Sequence, residues 1–124
     1  MARRAVERGS ATVLGLALAA GILMLMLALG AFAGSIATRG SAQSAADLAA
    51  LAAAASLART ELRGVGPADG VRAACGIAAD AARRNGAHLE ECRSVGVRTI
   101  EVVTSRRFAD WGHATARARA GPRP

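Results

Sequence analysis

Between Gly9 and Thr38 no side chain carries a charge. As a helix at about 1.5 Å per residue such a run is about 45 Å long, against about 30 Å of bilayer hydrocarbon. A small soluble domain has no interior of that length. Leucines and methionines concentrate between Leu14 and Leu29; seven leucines and Ile22, at roughly −0.5 kcal/mol each, favour insertion by about 4 kcal/mol before the glycine and serine costs. A membrane-spanning helix is the first expectation.

The flanking charges orient it. Arg3, Arg4 and Arg8 precede the run, partly offset by Glu7, whereas Arg39 is the only cation over the next twenty residues. The positive-inside rule then keeps the N-terminus in the cytoplasm and exports the rest, which predicts a single-pass protein of the cell membrane. The competing reading is a cleaved secretory signal, because Ala31-Phe32-Ala33 has the small-x-small form of a signal-peptidase site. Cutting after Ala33 would release a small secreted binding protein. Val13 to Leu29 is longer than a usual signal core, which favours retention of the helix.

The residues after the run extend the helix. Ser41 to Arg59 (SAQSAADLAALAAAASLAR) consists mostly of alanine and leucine, the residues with the lowest helix cost. Gly40 is where a bend is expected, and no proline interrupts Met1 to Gly66. Unbroken from Ser10 to Arg63, the helix would measure about 80 Å. Between Ser41 and Leu57 the only charge is Asp47, and alanine lines every side. A helix this weakly apolar all round needs a packing partner, either its own small domain or neighbouring copies and relatives, which small residues let approach closely.

Gly64-Val65-Gly66-Pro67 should end it. A second helix is expected from about Gly70 to Arg84, capped by Asp69 and stopped at Asn85-Gly86. Its apolar stripe is Val71, Ala74, Cys75, Ala78 and Ala82. Leu89 to Val95 and Val97 to Thr104 read as strands about a turn at Gly96. The alternation in Thr115 to Ala120 predicts an edge strand, and Arg106 to His113 reads as a mobile segment in which Phe108 and Trp111 close over the core and His113 faces solvent. The fold class is α+β: a long N-terminal transmembrane, pilin-like helix, then a small head of one helix and an antiparallel sheet of two or three strands. The divisions are 1–9 cytoplasmic stub, 10–37 transmembrane helix, 38–64 exported alanine-rich helix, 65–120 head and 121–124 flexible tail.

Composition limits the head. It has few large apolar side chains, and a domain of about 60 residues is marginal without a staple. Cys75 and Cys92 are the only cysteines. Paired in an exported domain, they would close a loop worth roughly 3 kcal/mol in the chain-entropy model; the alternative is a pair of free structural thiols. His88, Cys92 and Cys75 could offer three soft ligands, but zinc takes four or an organised open site, so no metal or other cofactor is expected. A Cys/His nucleophile pair would also need an oxyanion site and a cleft; the sequence holds no catalytic constellation, and neither an enzyme nor a small-molecule substrate is predicted. The net charge of +7 comes from 16 arginines without a lysine. They are scattered among acids and stacking aromatics are scarce, so no nucleic-acid partner is expected.

Gly9-Ser10-Ala11-Thr12-Val13-Leu14, AQSAADLAALAAA from Ala42 to Ala54, Cys75 and Cys92 with Asn85-Gly86-Ala87 between them, and TARARAGP from Thr115 to Pro122 follow one another in order. This combination resembles the TadE-like proteins of high-G+C Gram-positive bacteria, small membrane proteins encoded near Tad-type pilus and secretion genes and a helicase gene. The resemblance implies a minor pseudopilin or accessory subunit of a Tad pilus or related type IV pilus-like secretion system. Its partners would be the membrane, other pilin-like or TadE-like subunits, and the assembly platform with its cytoplasmic ATPase. It also implies prepilin-type processing between Gly9 and Ser10. Such prepilins typically carry glutamate at the fifth mature position, where this chain has Leu14.

Overall fold

The structure is a computed structural model that describes residues 3–108, 110 and 112–123, without the side chains of residues 3–10, Ser35 and Phe108. It contains α1 (Arg3–Leu62), α2 (Pro67–Arg84), β1 (His88–Gly96), β2 (Thr99–Phe108) and β3 (Gly112–Ala120). The class is α+β, as the sequence predicts. The chain divides into two compact units, Met1–Ser35 and Ile36–Pro124. The described residues of the first are all helical. The alanine-rich residues expected to form a separate segment, 38–64, belong to the second unit and supply much of its core.

In that second unit α1 and α2 cover one face of an antiparallel sheet of order β1-β2-β3. Ala42, Ala46, Ala49, Ala50, Ala53 and Leu57 line one side of α1 at helical spacing and meet Ala74, Ala78 and Ala82 of α2 and Ile100, Val102, Ala116 and Ala118 of the sheet. Alanine, which buries little area, permits close approach instead. Gly70 shows how close: a β-carbon there would stand 3.1 Å from Thr60 Oγ1 and 3.3 Å from Leu57 Cδ1. Thr104, also buried, donates to the Ala42 carbonyl at 3.4 Å and ties β2 to α1.

Both helices stop in the same way. Val65 N–H donates to Thr60 O and Gly64 N–H to Glu61 O, with Gly64 at φ 73°. Ala87 N–H donates to Ala82 O and Gly86 N–H to Arg83 O, with Gly86 at φ 71°. These are Schellman caps, in which glycine occupies the left-handed position without a β-carbon clash. Arg106 Nη1 donates to the Asn85 carbonyl at 3.3 Å, setting a cation at the negative end of α2.

Three local expectations need correction. Asp69 is not the cap of α2: Gly66 is the N-cap, without a side-chain bond, and Pro67 opens the first turn. Proline fits there because its fixed φ suits a helix and its missing N–H is not needed. Asp69 instead lies within that turn, 3.4 Å from Arg72. The hairpin turn lies at Val97-Arg98 rather than Gly96, since a register shift between Ser94 and Gly96 moves it along the chain. Arg98 takes φ 58°, and its Nε lies 2.6 Å from Glu61 Oε2 at the end of α1. Residues 106–108 belong to β2, and 112–113 to β3. β3 therefore begins three residues before the expected Thr115, its alanines fitting beneath the small helix residues while its arginines turn outward. Trp111 and the Phe108 side chain, expected to close over the core, lie outside the described residues.

Candidate functional site

The first unit presents apolar surface on every side. Exposure is 72% at Leu14, 74% at Leu16, 60% at Leu25 and 67% at Phe32, so no large side chain in this stretch is covered by its own unit. The helix is long and apolar enough to cross a membrane. Gly9 and Ser10, the expected processing pair, lie within α1; the Ser10 side chain is outside the described set. Ala31 and Ala33 are helical and exposed. Leu14 displays an apolar side chain at the position where the resemblance leads one to expect glutamate.

The second unit has a polar face on the side of the sheet away from the helices. Period-2 alternation along β2 turns Ile100, Val102 and Thr104 into the core and Glu101, Val103, Ser105 and Arg107 outward. Glu101 is nevertheless buried. Its neighbours across the strands are Arg93 and Arg119, and their guanidinium groups hold it from both sides. Arg93 reaches Oε1 at 2.6 Å through Nη2 and at 3.0 Å through Nε, while Arg119 Nε binds Oε2. The bonds from Arg119 and then Arg93 outweigh the cost of burial and hold the Glu101 carboxyl below the usual range. This cluster cross-links all three strands. Sequence reasoning missed it, because the pairing that brings Arg93 and Arg119 to Glu101 is defined only by the sheet register.

Cys75 on α2 and Cys92 on β1 form a disulfide with Cα atoms 5.8 Å apart. Cys92 also packs against the core, so the bridge fastens the second helix to the first strand. His88 lines a recess on the open sheet face with Glu90, Ser105, Arg107 and His113. Both sulfurs are consumed in the bridge, and no group of three or more metal-binding side chains occurs among the described residues.

Comparison with known families finds a likeness for the long helix. Residues 9–56 match the family model described as "Putative Flp pilus-assembly TadE/G-like". This segment is TadE-like. The match starts at the expected processing pair and ends at Ser56, spanning both the exposed apolar run and most of the buried alanine stripe of α1. It supports a pilus-associated component. No curated protein and no solved structure matches the chain.

Proposed function

We propose that the protein is a membrane-anchored structural component, a TadE-like minor pseudopilin, of a Tad pilus or related type IV pilus-like secretion system. The observation that carries this reading is the coincidence of the TadE-like match with a helix whose described large apolar side chains are exposed throughout the first unit. Lipid or apolar helices of neighbouring subunits would cover them. The N-terminus stays in the cytoplasm, as the arginines before the run favour, and the stapled Ile36–Pro124 unit stands outside. Its role is to be assembled rather than to catalyse. Partners are other pilin-like subunits and the assembly platform. Cross-linking in native membranes followed by mass spectrometry tests this reading, with links to such subunits as the expected product; a full-length, membrane-held chain linked to none of them would overturn the pilus role.

One observation favours a second reading. The compact exported unit begins at Ile36, just past Ala33, so cleavage after Ala33 would release that unit whole. The chain would then be a secreted, disulfide-stapled binding protein, recovered from the medium with Gly34 as its first residue.

A further inference from the structure

A recess of about 830 Å³ opens on the face of the sheet turned away from the helices. It crosses all three strands. His88 of β1 stands opposite Ser105 of β2, which stands opposite Thr115 of β3, and one step along Arg107 stands opposite His113. All of these line the recess.

Its chemistry favours an anion flanked by hydroxyls. Arg107, which makes no ion pair among the described residues, presents a planar fork of N–H donors suited to phosphate or carboxylate. The two imidazoles and the Thr115 hydroxyl add further donors. The acid of the recess, Glu90, already accepts a bond from Ser105 Oγ through Oε1. Its other oxygen is a ready acceptor for a ligand hydroxyl. The volume far exceeds that of one phosphate, which suits several linked units.

We propose that this recess binds a soluble phosphate-linked polyol, a phosphate seated on Arg107 and His113 and neighbouring hydroxyls on Glu90 and Thr115. Calorimetric titration of the full chain, in neutral detergent, with a synthetic trimer of glycerol phosphate tests the proposal. Saturable binding is expected, weakened about tenfold or more by Arg107→Gln, as loss of a charge-assisted bond implies. Arg59→Gln, which removes the same charge from α1, should leave it unchanged. Circular dichroism confirms that both variants keep their fold. Absence of binding, or equal weakening by both variants, would overturn the site. Inorganic phosphate binding as tightly as the trimer would overturn the polyol assignment. Binding of a short-chain, soluble phosphatidylglycerol that is lost in Arg107→Gln, without binding of the trimer, would mean a lipid headgroup is the ligand instead.

Discussion

The two halves of α1 use the same secondary structure for opposite ends. In the first, leucines and methionines stand exposed on every side; in the second, the small alanines at 42, 46, 49, 50 and 53 are fully or almost fully buried. A water-soluble protein would reverse this assignment, placing large side chains inside and small ones out. The reversal is what two halves in different surroundings would require. Around Leu25 the surroundings are expected to be apolar without any help from the chain's own fold, while around Ala49 a sheet and a second helix supply them at a distance that only a methyl group fits.

That contrast can be broken at either end. The largest effect should come from Leu25→Arg, which places a charge at mid-helix and should cost about 3–4 kcal/mol of insertion; membrane fractionation should show the variant lost from the membrane pool. Losing the staple comes next. Cys75→Ser with Cys92→Ser should destabilise the Ile36–Pro124 unit by about 3 kcal/mol, seen as a lower melting temperature of the full chain in neutral detergent. Ala49→Leu should cost about 2 kcal/mol through overpacking and leave membrane partition untouched. In contrast, the opposite exchange, Leu25→Ala, should leave the melting temperature unchanged. A smaller loss, about 1–2 kcal/mol, is expected for Gly121→Ala, because a β-carbon there would stand 2.5 Å from Thr99 Oγ1 and 3.1 Å from the Arg98 carbonyl.

Acid should weaken the second unit through Glu101. Folding lowers the pKa of Glu101 through its bonds to Arg119 and Arg93, so its stabilising contribution is complete above the unfolded value, about 4.3, and fades as pH falls through the lower folded value. Thermal melts at pH 7 and pH 3.5 should therefore separate, and by less in Glu101→Gln than in the parent chain. An equal separation in both would remove Glu101 from the account of acid sensitivity.

What could be read from the sequence was whatever depends on neighbours in the chain. The uncharged run from Gly9 to Thr38, the stops at Gly64 and Gly86 and the inward stripe of α2 all follow from local composition and spacing. Asp69 misled because two starts compete within a few residues, and Pro67 prevails by opening the helix earlier. The turn at Val97-Arg98 bears no turn-forming residue; the Glu61 carboxylate, remote in sequence, is what meets Arg98. Glu101 was illegible for a similar reason. An acid among β-branched residues reads as an exposed position until the register sets an arginine on either side of it. The alanine stripe was ambiguous between packing on its own domain and packing on copies, and the buried set shows that its own domain takes one side of the helix. Leu48, Leu51 and Leu62 remain exposed on α1.

The most direct test of the anchored reading is the intact mass of the protein recovered separately from membranes and medium. The account predicts a membrane-held chain that retains the apolar helix, beginning at Met1 or, after prepilin-type processing, at Ser10. A chain beginning at Gly34 and found in the medium would contradict it.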